Sequence, residues 1–478
     1  MTFLADLHIH SRLSRATSPD CTLEGLHCWA QRKGVRLVGT GDFTHPEWLH
    51  ELQTKLEPSA PGLYRLKPEL AAPLVDSIPP ACRAPVDFMI TGEISSIYKR
   101  GGRCRKVHSL LFVPDLATAA AIDARLDALG NITSDGRPIL GLDPRNLLEI
   151  ALEANPDAML IPAHVWTPWF SMLGSKSGFD SALECFGDLK AHVFAAETGL
   201  SSDPPMNWRV SSLDSLCLIS NSDLHSPARL GRNATIFHGD PDYFRIRSGL
   251  CNRDPDCCGG TVDMFPEEGK YHLDGHRKCG VCLEPEESLA LDCICPICRK
   301  PLVLGVLHRV EELADREPGT RPATALPHQY IIPLPQLLAE IYGCGPATKK
   351  VAHAYEQLLA ELGPELHILR TVDPQELAGH EPPLLGEAVH RLRHGQVRRR
   401  GGFDGEYGVV KVFADAELDR LQTHTVSVRE IREAAAGTSI EPEPLPRPPE
   451  VNAALASARE HPVNRRPSNQ LTFDFALE

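Results

Sequence analysis

His8 and His10, in the opening string ADLHIHSRLS, are the first residues of the chain with the chemistry to bind a metal. Alternate residues of an extended strand face one side, so the two imidazoles aim together, and paired imidazoles suit a divalent ion. Further along, Asp42, Glu93, His108, His164, Glu197, Asp223 and His225 each lie beside a short apolar, β-branched run. One acid or imidazole after a strand reads as a turn residue or helix cap. Here six of seven runs end in or run into such a residue, and His108 begins the remaining one. Chance would also place Lys, Arg, Ser and Asn there, whereas acids and imidazoles alone are the donor set for a cluster of divalent ions.

The elements that must position these side chains are the runs themselves: FLADLHIH, VRLVGTGD, VDFMITGE, HSLLFVP, AMLIPAH, HVFAAETG and LCLISNSD. They alternate with helical patterns such as TLEGLHCWAQRKG, closed by Gly34, which is the rhythm of an α/β domain. In a barrel of parallel strands the C-terminal ends converge on one face, where function sits.

These residues resemble the PHP phosphoesterase family, whose fold is a distorted (β/α)7 barrel with two or three metal ions. The resemblance implies that His8, His10, Glu93 and Asp223 hold one ion, and that Glu93 bridges to a second held by His108 and His164. His225 would face a third, with Asp42 among the metal residues. Two places depart from the family pattern: Asp42-Phe43 stands where an Asp-His pair is usual, and Ser14 and Arg15 stand where a His or acid is usual. The implied reaction is phosphoester hydrolysis by Zn, Mg or Mn, with Glu93 and Asp223 catalytic as ion holders and Glu197 as proton acceptor or orienting group.

Cys279, Cys282, Cys295 and Cys298 have the spacing C-x2-C-x12-C-x2-C, which predicts a four-cysteine zinc ribbon with one closed, structural zinc. Basic residues Lys99, Arg100, Arg103, Arg105 and Lys106 precede His108 and could track a phosphate backbone; RLRHGQVRRRGG at 391–402 is a second basic stretch. GCGPATKK, at 343–350, loosely resembles the glycine turn of helix-hairpin-helix modules that hold phosphates through backbone N–H groups. Trp166, Trp169, Phe170, Ser171 and Lys176, within PAHVWTPWFSMLGSKSGFDS, offer aromatic faces and small polar groups to an extruded nucleotide.

The strings TGEISSIYKRGG, TPWFSMLGSKSGFDS, GLSSDPPMNWR and EEGKYH, with the barrel and ribbon, make the chain from Met1 to about Phe413 similar to the endonuclease Q family. What this implies is a DNA repair endonuclease cutting 5′ of deaminated bases (uracil, hypoxanthine, xanthine) and abasic sites. Two other readings are a small-molecule phosphomonoesterase of the same barrel type and a zinc-scaffolded, non-catalytic nucleic-acid module; the ribbon and basic loops weigh against the first, the intact ligand set against the second.

The whole chain is compatible with this. At 478 residues it has room for several domains, and its net charge of -14 excludes a globally basic nucleic-acid binder while leaving local basic stretches. No leader and no long apolar stretch is read in the sequence, so the expectation is a cytoplasmic protein without membrane contact, in which 15 cysteines serve as thiols and metal ligands. The expected organisation is a PHP barrel over 1–240, a zinc ribbon over 241–310, a mainly helical nucleic-acid-binding region over 311–436 and a disordered Pro-rich tail over 437–478. The tail ends in QLTFDF, where Gln470, Leu471, Phe473 and Phe475 resemble the short peptides that dock on the DNA sliding clamp.

Overall fold

The computed structural model describes residues 1–423 and 448–460. All seven apolar runs form strands: Thr2–Asp6, Leu37–Gly39, Asp87–Arg100, Arg103–Val113, Met159–Pro162, Ala195–Glu197 and Cys217–Ile219. The Leu23–Lys33 helix lies between the first two, started by the Thr22 side chain and stopped by Gly34 at φ 81°. A left-handed residue there turns the chain back toward the sheet.

Five of these strands belong to a large mixed sheet of eleven. Thr2–Asp6 pairs parallel with Leu37–Gly39, and that strand pairs parallel with Asp87–Arg100. The next two pairings are antiparallel: Asp87–Arg100 with Arg103–Val113, and Arg103–Val113 with Met159–Pro162. Ala195–Glu197 and Cys217–Ile219 form a separate parallel pair. An isolated bridge, Ile9 to Leu224, links the segment after Cys217–Ile219 to the segment after Thr2–Asp6. The hairpin explains why His108 begins its run: on a reversed strand, the early residues lie at the end where the parallel strands finish.

Strand alternation separates two cores. Phe88, Ile90 and Ile94 face the outer helices with Trp48, Leu52, Ile122 and Leu147. Met89, Leu110 and Phe112 face inward, with Ala5, Leu7, Ile161, Ala195 and Ile219. Glu93 continues the inward row of Met89, and His108 that of Leu110, so the polar groups cap an apolar inner layer.

The sheet continues past residue 240. Cys258–Met264 adds antiparallel to Ala234–His238, and His328–Ile331 adds parallel to Cys258–Met264. The ribbon is a small hairpin, Asp274–His276 with Val281–Leu283. Beyond it the chain is mainly helical around its own core of Leu337, Leu338, Leu358, Leu359, Ile368 and Val389. GCGPATKK joins the helices Leu334–Tyr342 and Lys349–Leu362, with Gly343 at φ 61° closing the first. The expectation of a tail disordered from 437 is corrected at Pro449–Glu460, a helix whose Val451 and Leu455 pack on Val281, Leu283, Cys295 and Leu302 of the ribbon. Two apolar residues four apart give that helix the stripe it buries. The clamp-type peptide, Gln470 to Phe475, lies outside the described residues.

Candidate metal centre

The structure brings six of the eight expected metal residues into two donor groups that share one carboxylate. His8, His10, Glu93 and Asp223 form the first, and Glu93, His108 and His164 the second; within each, the donor atoms lie within 4.8 Å of one another. Glu93 Oε2 is 3.3 Å from His8 Nε2 and 3.2 Å from His10 Nε2. Asp223 Oδ1 is 3.2 Å from His10 Nε2 and 3.6 Å from His8 Nε2. Glu93 Oε1 is 2.7 Å from His108 Nδ1 and 3.3 Å from His164 Nε2. Tetrahedral donors on metal bonds of about 2.1 Å stand roughly 3.4 Å apart, so most of these spacings fit an ion at the middle. Three buried atoms of the first group, His8 Nε2, His10 Nε2 and Asp223 Oδ1, have no hydrogen-bond partner. Such orphans are costly unless something binds them, and the donor set fits divalent ions.

His8 and His10 lie just past the end of their strand, and the Ile9–Leu224 bridge between them keeps the extended geometry that sends both rings one way. Asp42, Asp223 and His164 sit at φ of 49°, 46° and 29°. Non-glycine residues there carry strain that the surrounding structure must hold, a frequent feature of functional sites. Gly199 shows why: a Cβ on it would come within 2.4 Å of His164 Cβ, so only glycine lets the two turns approach.

Behind the donors stand the groups that orient them. Both Glu197 oxygens lie 3.1 Å from His8 Nδ1, and they also accept from the His164 amide and Asn221 Nδ2, each at 2.8 Å. Glu197 is therefore placed to aim the rings, with His8 between it and the other carboxylates, in place of the proton acceptor expected as one of its roles. Asp42 is corrected from ligand to orienter. Its Oδ1 meets His10 Nδ1 at 3.1 Å, while Oδ2 accepts from the Ser11 amide, Ser11 Oγ and Ser14 Oγ at 2.7, 2.6 and 2.9 Å. Those contacts occupy the lone pairs an ion would use. His225 lies against His10, with ring centroids 4.5 Å apart and the rings tilted by 47°, and belongs to neither donor group.

Electrostatics match a site built for cations. Burial opposes protonation of His8, but Glu197, Glu93 and Asp223 outweigh it and hold its pKa well above the ordinary value. Burial also opposes ionisation of Glu93, yet His108, Arg137 and His8 keep its carboxyl well below the usual range. Arg137, missed in the sequence, sits in a DGRP turn and places Nη1 3.0 Å from Glu93 Oε2.

The expected nucleic-acid residues divide. Trp166 is corrected to a core residue, fully buried with Nε1 donating to Asn207 Oδ1, and Ser171 is buried with its hydroxyl on the Thr167 carbonyl. Arg100 is tied to Asp143 and the Cys185 carbonyl, and Arg105 to the Gly178 carbonyl and the Phe179 face. Lys99, Arg103 and Lys176 remain exposed, as does Trp169, which meets the Tyr271 ring edge-on at 5.8 Å. Phe170 lies 4.8 Å from the His108 ring, and Lys106 Nζ sits 5.1 Å from Phe170. On the hairpin Lys99 and Lys106 share the Glu93 face, so of the five basic residues these two line up with the centre.

The four-cysteine expectation is corrected by one ligand. His276, Cys279, Cys295 and Cys298 form the third donor group, and Cys298 Sγ lies 3.4 Å from His276 Nδ1. Cys282 is in a strand between Val281 and Leu283, which face Cys295; alternation turns Cys282 to the other side, against Leu273 and Phe403. The signal was present as HRKC, an imidazole three residues before Cys279.

A family model described as the MJ0043 C-terminal domain matches residues 333–396. An uncharacterized protein of Methanocaldococcus jannaschii, MJ0043, is 32% identical over 256 residues, 51% of this chain and 31% of that protein, so the match spans about a third of that relative's length. Uncharacterized protein YqxK of Bacillus subtilis is 28% identical over 421 residues, 85% of this chain and 98% of that one. Among solved structures, the lesion-specific endonuclease PfuEndoQ from Pyrococcus furiosus is 29% identical with a TM-score of 0.74, covering 89% of this chain and 100% of that one. An endonuclease Q bound to a 27-mer duplex with an abasic lesion at its active site is also 29% identical, with a TM-score of 0.73 over 87% of this chain and 98% of that one. The likeness first carried by a few sequence strings therefore extends through the fold, and along 89% of its length this chain is similar in structure to PfuEndoQ.

Proposed function

We propose that this chain is a metal-dependent DNA repair endonuclease that nicks the strand 5′ of an abasic site or a deaminated base. It is a hydrolase of DNA ester bonds. The observation that carries the reading is the pair of donor groups sharing Glu93 in a chain that aligns along most of its length with lesion-specific endonucleases. Divalent ions at these residues would activate water and neutralise charge on the phosphoryl group.

The chain's own residues do the positioning. His8, His10, Glu93 and Asp223 would hold one ion, and Glu93, His108 and His164 the other. Glu197 and Asp42 fix the ring directions of His8 and His10, so the donors need little reorganisation. Lys99 and Lys106 receive the phosphate backbone along the hairpin, and Trp169 and Phe170 stack on an extruded nucleotide beside His108. His276 with Cys279, Cys295 and Cys298 would hold a structural zinc, because three thiolates and an imidazole suit a closed four-ligand site. Residues 1–240 carry the catalytic unit, the ribbon and helical region flank the DNA, and the partner is duplex DNA. Among the described residues no helix is long and apolar enough to cross a membrane.

End-labelled duplexes carrying one abasic site, uracil, hypoxanthine, xanthine or no lesion, each with Mg, Mn or Zn, test the proposal. The expected result is one nick 5′ of the lesion and none in the normal duplex. Cleavage of a chromogenic phosphomonoester without cleavage of any duplex would overturn it.

A further inference from the structure

We infer that Arg137 contacts the scissile phosphate and that its guanidinium supplies the positive charge of a third ion at a centre of two. This rests on the reading of the site as a phosphodiesterase and adds a residue that the metal pattern does not contain.

Three observations place it. First, the carboxylate that a third ion would need is already engaged. Asp42 accepts four hydrogen bonds, from His10, Ser11 twice and Ser14. Phe43 follows Asp42 where an imidazole would be needed, and Ser14 and Arg15 offer neither an imidazole nor an acid. The space beside Asp42 is filled by Gly136, on which even a Cβ would come within 2.3 Å of Asp42 Oδ2 and 2.4 Å of Ser14 Oγ.

Second, the turn that fills this space is what presents Arg137. The Gly136 amide donates to the Leu13 carbonyl at 3.1 Å, the Arg137 amide to Asp135 Oδ1 at 3.2 Å, and the Pro138 carbonyl accepts from the Ser95 amide at 3.0 Å. The backbone on both sides of Arg137 is thus pinned, to the segment after the His8–His10 pair and to the strand that carries Glu93.

Third, the side chain reaches the shared carboxylate while keeping donors in hand. Nη1 is 3.0 Å from Glu93 Oε2, and the side chain retains 29% exposure. A carboxylate oxygen has two lone pairs, so Oε2 can serve an ion and Arg137 together. The other donors of the guanidinium fork meet no protein acceptor among the described residues. A planar fork with free N–H groups beside two cation sites matches the oxygens of a phosphodiester, whose charge it would bind most strongly as the bond to the leaving oxygen breaks.

The test compares wild type with Arg137→Ala and Arg137→Lys, reloaded with metal. It reads catalytic ions per chain, kcat and KM on the abasic duplex and on bis(p-nitrophenyl) phosphate, and cleavage of the two phosphorothioate diastereomers at the scissile position. We expect two catalytic ions in all three proteins, kcat lower by about 10²-fold in Arg137→Ala with partial recovery in Arg137→Lys, and a stereospecific sulfur penalty in wild type that shrinks in Arg137→Ala. Three catalytic ions in wild type, loss of an ion in both variants, or Arg137→Ala turnover within about threefold of wild type would overturn the inference. If wild type leaves lesion DNA uncut, the proposed function fails separately, and the ion count with the chromogenic diester still decides the role of Arg137.

Discussion

Two of the donor groups in this molecule solve opposite problems. The Glu93-centred cluster gathers residues from His8 to Asp223, buries all but Asp223, and leaves three buried polar atoms without protein partners. The ribbon cluster gathers His276 and Cys279 from a local hairpin and Cys295 and Cys298 from the segment after it, near the surface, and uses three thiols and one imidazole. Carboxylates and imidazoles on a rigid sheet leave ions able to take up water and substrate, whereas thiolates on a short hairpin commit an ion to holding the fold. The comparison teaches that donor type and scaffold together, more than donor count, separate a reactive centre from a structural one.

The sharpest way to break the contrast is at the shared carboxylate. Glu93→Gln should lower lesion cleavage by roughly 10³-fold or more while the ribbon zinc remains, measured by gel assay with elemental analysis; loss of both metals together would make the clusters one unit.

The ribbon offers the next largest effect. Cys279→Ser should release the zinc and lower the melting temperature, whereas Cys282→Ser should keep the zinc and cost only about 1–2 kcal/mol in denaturant unfolding. Zinc lost from Cys282→Ser would restore the four-cysteine arrangement.

This is where the sequence was legible and where it was not. All seven runs became strands because each pairs β-branched residues with a turn signal, and the six donors were readable because each stands beside such a run. The Cys282 ligand failed because Cys-x-x-Cys spacing carries no information about which face of a strand its second cysteine occupies. Asp42 and Trp166 failed for a related reason: a residue of the right type beside the site is as useful behind a ligand, or in the core, as on it. Strand direction was not legible, because apolar runs do not encode it, and the hairpin that Asp87–Arg100 opens makes the sheet mixed. Arg137 lay in a turn with no apolar run to mark it, so only folding brought it to Glu93.

A smaller effect refines the reactive side. Glu197→Gln keeps the shape but weakens the hold on His8, and metal affinity from a competition titration should fall by about 10- to 100-fold. An unchanged affinity would remove Glu197 from the orienting role.

The smallest effect comes from a buried carboxyl that belongs to neither cluster. Burial pushes the Asp263 carboxyl up to about 7, against the hydrogen bonds it accepts from Thr261 and Ser220. Its folded pKa lies above the unfolded value, so the folded state holds a proton that the unfolded chain has lost, and this contribution to stability declines as pH rises from about 4 to 7. Asp263→Asn should flatten that decline and add about 1 kcal/mol at pH 8 in denaturant unfolding; a decline as steep as that of wild type would place the titration elsewhere.

A metal titration read by cleavage tests directly whether the Glu93-centred cluster cuts DNA with two ions. Protein stripped of its catalytic ions, with the ribbon zinc retained, is titrated with Mn or Zn against a duplex carrying one abasic site. Nicking 5′ of the lesion should rise to full activity as the second ion binds, and Glu93→Gln should stay inactive at every metal concentration. Full cleavage by the stripped protein, or by Glu93→Gln once metal is raised, would contradict it.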